Sequence, residues 1–209
     1  MLFPRFRRSH DSMKRLYNRF HNYYGGIERS LGPKLDNVLS RTVAGFPDIK
    51  NRTVLEYACG SGLLSLKLAR LFKSLEGRDS SEGMIGRARR RADAEGVGNA
   101  SFRAGNILDP DEEPDSYDYV FVSFALHLFS PETEMKILGH LLRIAREAVV
   151  IIDHGRKWSI VTAVVEWLEG GYYDVFIKQD FRQFAEMIGA AGFSEDEIDA
   201  CSVLMFWKH

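Results

Sequence analysis

The stretch from residue 53 to residue 69, TVLEYACGSGLLSLKLA, constrains this chain more than any other part of its sequence. It begins with a strand-like run at 54–57, which gives way to the small residues of 58–62. An apolar pattern with helical spacing then starts at Leu63. The sequence therefore predicts a strand, a tight turn and a helix in immediate succession, which is the unit that brings a turn to the edge of a parallel sheet.

A carboxylate next to this turn limits the kind of ligand that it can hold. Glu56 lies at the end of the predicted strand. A pyrophosphate would be repelled there, and the chain has no Gly-Lys-Ser/Thr segment after the turn to neutralise a triphosphate. S-adenosylmethionine has no phosphate, and it carries an ammonium and a sulfonium that a nearby carboxylate stabilises. The residues thus favour S-adenosylmethionine over a dinucleotide.

A second acid, Asp79, follows the predicted second strand at 74–78 and lies about 20 residues beyond Glu56. A carboxylate held at a strand end accepts hydrogen bonds from both hydroxyls of a ribose. The alternative is that Asp79 is only a charge at the start of the next helix, for which Ser81 is the expected N-cap. The spacing from Glu56 favours ribose binding.

The segment Glu56-Tyr57-Ala58-Cys59-Gly60-Ser61-Gly62 resembles motif I of the class I S-adenosylmethionine-dependent methyltransferases, an acid followed by Gly-x-Gly-x-Gly. Ala58 takes the place of the first glycine. The resemblance covers roughly residues 50–208 and implies methyl transfer from S-adenosylmethionine to a small-molecule acceptor, with S-adenosylhomocysteine as product. It implies that the methionine part is held by Glu56, Ala58, Gly60, Ser61 and Gly62, the ribose by Asp79, the adenine by Ser80, Met84, Asn106 and Ile107, and the floor under the sulfonium by Ser123 and Phe124.

Strands and helices alternate through the middle of the chain, which predicts an α/β fold with a doubly wound, mostly parallel sheet. The resemblance implies seven strands in a Rossmann-like methyltransferase fold. We expect an N-terminal helical lid at 1–45 and a catalytic domain at 46–209 within one structural domain. Few residues remain after Phe193 for two final strands, so we expect the sixth strand to be very short.

Two histidines are candidates for a general base, should the acceptor have to lose a proton. His127 follows the predicted fourth strand at 117–123, and His154 follows the fifth at 148–152. Both would lie at the carboxyl ends of parallel strands, where ligands bind in such sheets. For each histidine, a packed or surface position without catalytic function is the alternative.

Aromatic residues beside glycine pairs predict a lid and a facing wall around the acceptor. Tyr17, Tyr23 and Tyr24 precede Gly25-Gly26, and Tyr172 and Tyr173 follow Gly170-Gly171. Glycine pairs can supply hinges, and aromatic walls exclude water and suit a small apolar or aromatic acceptor. Permanent packing of these aromatic side chains is the alternative.

Composition adds only broad limits. The 209 residues are 45% hydrophobic and 27% charged, with a net charge of −1, which disfavours a nucleic-acid or membrane partner. The basic start of the sequence lacks the apolar core of a signal peptide. Two cysteines, Cys59 and Cys201, form neither a disulfide framework nor metal-ligand spacing, so we expect a cytoplasmic protein without a metal.

Two other classes of function stay open from the sequence. An NAD-type oxidoreductase would share the glycine-rich turn, although Glu56 and the turn spacing disfavour it. A catalytically inactive partner subunit with a methyltransferase fold is the second, because Ala58 and Asn106 depart from the usual pattern. The chain also lacks the Pro-Cys nucleophile of carbon-5 pyrimidine methylation and the Asn/Asp-Pro-Pro-aromatic signature of enzymes that methylate exocyclic or amide nitrogens.

Overall fold

A computed structural model of the chain describes residues 25–157 and 172–209, with side chains from Gly32 onward. Alternating helices and strands run through these residues as the sequence predicts. In chain order they are α1 (Gly25–Thr42), β1 (Thr53–Tyr57), α2 (Leu63–Leu71), β2 (Ser74–Asp79), α3 (Glu82–Glu95), β3 (Ala100–Ala104), β4 (Tyr117–Ser123), α4 (Pro131–Ile144), β5 (Ala145–His154), α5 (Tyr173–Phe176), α6 (Phe181–Met187), β6 (Gly192–Ile198) and β7 (Cys201–Trp207). A short 3₁₀ turn, Leu126–Leu128, follows β4.

The strands form one seven-stranded sheet in the order β3-β2-β1-β4-β5-β7-β6. The pairs from β3 to β5 are parallel, while β7 runs antiparallel to both β5 and β6. Successive connections diverge at the boundary between β1 and β4, where β2 lies on one side and β5 on the other. The predicted doubly wound, mostly parallel seven-stranded sheet is therefore confirmed, and this boundary is where such sheets bind their ligands.

The sheet is covered on both faces, which explains why its central strands are apolar throughout. Side chains that alternate along β1 enter different cores: Val54 packs with α1, α2 and α3, whereas Leu55 packs with α4, α5 and α6. The buried residues of α1 in the first core are Leu35, Val38 and Leu39. Burial on two faces fixes the sheet as the rigid base on which the turns at its carboxyl edge are held.

The expectation of a very short sixth strand is wrong. Strand β6 has seven residues and pairs along its whole length with β7. The connection between them takes only two residues, Asp199 and Ala200, both with positive φ (50° and 62°). A two-residue turn of this mirror-image type matches the strand twist and uses almost no chain, so both strands fit. The predicted helix of the lid, Met13 to Tyr24, lies outside the described residues.

Candidate functional site

The turn between β1 and α2 contains three residues in the left-handed backbone region. The φ angle is 54° at Ala58, 53° at Gly60 and 78° at Gly62. A Cβ atom at Gly62 would lie 3.1 Å from the Cβ of Ala88, so glycine is required where α2 approaches α3. Ala58 adopts the backbone that the missing glycine would have, and the turn keeps its shape at the cost of some strain.

Gly60 marks the open side of the turn, and Asp79 lies beside it. No described atom comes within 4 Å of a Cβ atom built on Gly60. The Gly60 N–H donates to Asp79 Oδ2 at 2.9 Å, and the Ser81 N–H donates to Oδ1 at 2.8 Å. A carboxylate has about four acceptor positions, so it can bind backbone and ligand hydroxyls together. The predicted ribose carboxylate therefore borders open space at the turn.

Glu56 is fully buried beneath the turn rather than exposed at its mouth. Its carboxylate accepts hydrogen bonds from the hydroxyl of Ser65 and, at 3.0 Å, from that of Ser123. Burial raises the pKa of Glu56 to about 7; the two serine hydroxyls act in the opposite direction, and the charge of Asp79 adds to the rise. Glu56 thus carries a charge that depends on pH near neutrality, behind the surface predicted to hold the methionine part.

The residues assigned to the adenine side lie on the turn after β3 and at the start of α3. The Gly105 N–H donates to the Asp79 carbonyl at 3.0 Å, which joins this turn to the end of β2. Asn106 Oδ1 accepts from the Leu108 N–H at 3.1 Å, so this side chain closes its own turn. Ile107 is buried. Of the others, Met84 is buried and Ser80 is half-buried.

A buried ionic cluster fixes the loop that follows this turn. Arg78 is 1% exposed, and it pairs with Glu112 Oε1 and Glu76 Oε1, both at 2.5 Å. Tyr57 donates a hydrogen bond to the other oxygen of Glu112. Since removing one partner of a buried charge pair is strongly destabilising, this cluster holds the loop after β3 in one position against β2. No pattern in the sequence predicts this cluster.

The end of β4 turns toward β5 at Ser123 and Phe124. Phe124 has φ 48°, and its N–H donates to the Ile152 carbonyl at 2.8 Å. The Phe124 ring lies 5.4 Å from the ring of His154, measured between centroids. Through Ser123 and Phe124 this corner touches both Glu56 and His154, so it connects the predicted cofactor side to the predicted acceptor side.

The two histidines chosen from the sequence lie together. Their ring centroids are 4.7 Å apart, and Asp153 Oδ1 lies 2.5 Å from His127 Nδ1. Burial would raise the pKa of Asp153, but the charge and hydrogen bond of His127, with the charge and N–H of His154, hold it below its usual value. Asp153 is therefore an anion, and His127 is almost fully buried while His154 is half-buried.

The aromatic segment after the second undescribed stretch packs against these histidines. The Tyr172 N–H donates to the His127 carbonyl at 2.7 Å. The ring of Tyr173 lies 5.6 Å from that of His154, and the ring of Phe176 lies 6.2 Å from that of His127. Tyr172 and Tyr173 thus lie at the predicted acceptor side, whereas Tyr17, Tyr23 and Tyr24 lie outside the described residues.

Sequence reasoning missed two residues that shape this site. An acid at the carboxyl end of the fifth strand was a usable signal for Asp153, because strand ends of a parallel sheet converge on the ligand. Arg91 had no such signal: its Nη1 donates to the Ser61 carbonyl at 3.2 Å and to the Ser61 hydroxyl at 3.0 Å. That contact joins α3 to the glycine-rich turn and depends on tertiary packing alone.

Comparison with known proteins confirms the resemblance. Residues 54–148 match the family model described as "Methyltransferase domain". The methyltransferase tpcH of Aspergillus fumigatus is 29% identical over 122 residues, which are 53% of this chain and 43% of the relative. The 23S rRNA (uracil(1939)-C(5))-methyltransferase RlmD of Marinomonas posidonica is 25% identical over 134 residues, 57% of this chain and 30% of the relative. The chain thus spans less than half of these relatives.

Among solved structures, the magnesium protoporphyrin IX methyltransferase ChlM of Synechocystis, crystallised with S-adenosylhomocysteine, has a TM-score of 0.71. The match covers 96% of this chain and all of that chain at 17% identity. At this identity the likeness concerns the fold, and it extends over both edges of the sheet. The described chain therefore has the Rossmann-like methyltransferase fold from its helical start to its final antiparallel strands.

Proposed function

We propose that this chain, whose residues 54–148 match the methyltransferase domain model, transfers a methyl group from S-adenosylmethionine to a small-molecule acceptor. When bound, S-adenosylmethionine supplies a methyl group on a sulfonium, which is already a good leaving group. The protein then has to hold the acceptor atom in line with the methyl carbon and keep water out, which can account for on the order of 7 to 11 kcal/mol of the barrier.

The contact between Asp79 and Gly60 is the observation that carries this proposal. It places a carboxylate from the end of β2 beside a glycine that faces open space in the turn after β1. A ribose needs the carboxylate, and the methionine chain of the cofactor needs the close approach that a glycine allows. Both are present at one end of the sheet, next to the boundary between β1 and β4.

The remaining residues are assigned around this contact. In our proposal the turn holds the methionine part, with Glu56 acting from beneath it as a buried carboxylate. The adenine lies against the turn after β3. The residues that would line these three parts are Ala58, Gly60, Ser61 and Gly62 for methionine, Asp79 for ribose, Ser80, Met84, Asn106 and Ile107 for adenine, and Ser123 and Phe124 for the floor.

A small acceptor suits the described surroundings better than a polynucleotide. Tyr173 and Phe176 are buried against the two histidines, which makes an apolar, aromatic wall at the carboxyl end of β5. Arg89 and Arg91, part of a basic run on α3, donate to backbone carbonyls of the chain itself. Among the described residues, no helix has both the length and the apolar character to cross a membrane.

Calorimetry with S-adenosylhomocysteine tests the cofactor site directly. Replacing Asp79 by alanine removes charge-assisted hydrogen bonds to the ribose, which are worth about 1.5 to 3 kcal/mol, or a loss of affinity of about 10- to 150-fold. Asp93→Ala removes an exposed carboxylate of α3 and serves as the matched control, with affinity unchanged. An Asp79→Ala variant that is folded and binds S-adenosylhomocysteine like the wild type would contradict the assignment.

A further inference from the structure

The histidine cluster at the carboxyl ends of β4 and β5 has a built arrangement that methyl transfer itself does not require. His127 and Asp153 are buried, and their side chains meet at 2.5 Å, while His154 covers them from the half-exposed side. Burying a carboxylate and an imidazole costs free energy unless they are paired. A cluster of this kind at the carboxyl ends of parallel strands, where ligands bind, points to proton transfer.

Asp153 is the fixed point of the cluster. Its Oδ2 accepts from the N–H groups of Leu126 at 3.0 Å and His127 at 3.3 Å. Its Oδ1 accepts from the His154 N–H at 2.7 Å and faces His127 Nδ1. The aspartate therefore orients the buried imidazole with its Nδ1 as the donor, the arrangement by which a carboxylate sets the tautomer of a histidine.

A metal ion is the competing occupant. His127, Asp153 and His154 each have a ligand atom within 4.8 Å of the others. However, both oxygens of Asp153 already receive hydrogen bonds, four in all. A metal would have to displace the contacts that shape the turn after β4. The geometry thus favours proton chemistry over metal binding.

His154 is the member of the cluster that can meet an acceptor. Its ring contacts Phe124 at 5.4 Å and Tyr173 at 5.6 Å between centroids. Phe124 belongs to the proposed floor under the sulfonium, and Tyr173 belongs to the aromatic wall. An acceptor that lies on this wall with its reacting atom toward the cofactor would therefore have His154 beside that atom.

We propose that His154 is a catalytic base, supported by the His127–Asp153 pair, and that the acceptor is a phenol or an enol. This inference rests on the proposed methyltransferase function. His154 takes the hydroxyl proton, the acceptor oxygen keeps the O–H electron pair and bonds the methyl carbon, and the electron pair of the broken carbon–sulfur bond stays on sulfur. The proton then leaves His154 for solvent.

The aromatic surroundings favour a flat hydroxyl acceptor over an amine or an ionised one. A thiolate or carboxylate needs no base for this reaction. An ammonium acceptor would need an accessible carboxylate to pair with its positive charge. Asp153 does not supply one, because it is fully buried and both of its oxygens accept hydrogen bonds. A phenolic or enolic hydroxyl is uncharged and protonated at neutral pH, so it fits an aromatic wall and requires a base.

The groups that face His154 set the charge of its surroundings. Asp153 and His127 lie behind it, Tyr173 beside it, and Glu134 of α4 is buried close enough to His127 and Asp153 to interact with both. Burial raises the pKa of Glu134 to about 8, against a lowering by the Gln179 amide. Glu134 is therefore mostly neutral at pH 7, and Asp153 is the negative charge behind the histidines.

Rate measurements with a panel of substituted phenols test the proposal. His154→Gln is expected to lower kcat for an ordinary phenol at least about 100-fold, the usual range for a lost general base. Asp153→Asn should lower kcat by a smaller factor with KM unchanged. His140→Gln, on the exposed face of α4, is the matched control.

Three further readouts separate catalysis from structure. A phenol acidified by a nitro group is already ionised at pH 8, so His154→Gln should methylate it nearly as well as the wild type. In the unliganded protein, NMR of the imidazole protons should show a low-field Nδ1–H signal of His127 that is lost in Asp153→Asn. Calorimetry with S-adenosylhomocysteine should give wild-type affinity for all three variants.

Several outcomes would overturn this inference. They are equal loss of activity toward acidified and ordinary phenols, methylation of no phenol or enol by a protein that binds S-adenosylhomocysteine, or tight binding of Zn²⁺ that depends on His154 and raises the rate. If the wild type fails to bind S-adenosylhomocysteine at all, the proposed function itself is wrong. The two failures are therefore distinguishable.

Discussion

Ala58 is the residue at which the sequence departs from motif I, and the structure gives the physical consequence. With φ at 54° it occupies a backbone region that costs an L-residue about 1 to 2 kcal/mol. The turn nevertheless leaves Gly60 open and Asp79 in contact with it. The departure therefore concerns stability more than the shape of the cofactor site.

We expect Ala58→Gly to raise the free energy of unfolding by about 1 kcal/mol, because glycine adopts a positive φ without strain. Affinity for S-adenosylhomocysteine should stay unchanged. Urea denaturation and calorimetry measure the two quantities. Gly60→Ala is the opposite substitution: it places a Cβ atom in the same backbone region, at a position with open space around it. It should lower the free energy of unfolding by about 1 kcal/mol. A less stable Ala58→Gly variant would contradict the account.

Glu56 makes a prediction about pH. Its pKa rises from 4.5 to about 7 on folding, so between these values the folded protein holds a proton that the unfolded chain has released. Stability from this group therefore falls as pH rises through that window, by about 3 kcal/mol in total. Between pH 4.5 and pH 8, the free energy of unfolding measured with urea should fall by about 3 kcal/mol more in the wild type than in Glu56→Gln.

Glu134, whose pKa is about 8, titrates in both the wild type and Glu56→Gln. Its contribution to the change in stability with pH is therefore the same in both and cancels from the comparison. Parallel stability curves for the wild type and Glu56→Gln would show that the burial of Glu56 has no such effect.

Glu56 also shows how far a prediction from the sequence reaches. The acid next to the turn was predictable from its spacing, but its depth under Ser65 and Ser123 depends on contacts between β1, α2 and β4.

At the level of elements, the pattern of apolar residues was enough to predict those strands whose limits depend on neighbouring residues alone. The apolar run of β4 predicts that strand with its observed limits, and the run at 54–57 predicts β1 to within one residue. Strand β5 extends beyond its apolar run at both ends, because Ala145 pairs with Tyr117 of β4 and His154 pairs with Cys201 of β7. The hairpin of Asp199 and Ala200 was not predictable, because Ala200 takes the position at which glycine is usual in a turn with two positive φ angles.

The start of α3 offers a prediction at this scale. Ser81 Oγ accepts from the Met84 N–H at 3.2 Å, which confirms the expected N-cap of the helix that follows Asp79. We expect Ser81→Ala to lower the free energy of unfolding by about 1 kcal/mol, the usual value for a lost cap. Ser101→Ala removes an exposed hydroxyl of β3, away from any helix start, and should change it by less than about 0.5 kcal/mol. Equal effects of the two substitutions would argue against the cap.

At the scale of the molecule, the site follows from the point where the sheet reverses its winding. Glu56 and Asp79 end β1 and β2 on one side of the boundary, while Ser123 and Asp153 end the apolar runs of β4 and β5 on the other. The doubly wound sheet and the convergence of these ends were predictable from the alternation of elements. The contacts of the aromatic segment with the histidines were not, since they join residues far apart in the chain.

A thermal shift separates the classes of function that the sequence left open. S-adenosylhomocysteine at 100 times its Kd should add about 2.7 kcal/mol to stability, which for a domain of this size raises Tm by roughly 5 to 11 °C. NAD should give no shift, because a pyrophosphate would lie against the turn over Glu56 and beside Asp79. Differential scanning calorimetry of the full chain with each ligand measures both. A shift with NAD and none with S-adenosylhomocysteine would reverse the assignment in favour of an oxidoreductase, and a shift with S-adenosylhomocysteine without turnover of any acceptor would favour an inactive partner subunit.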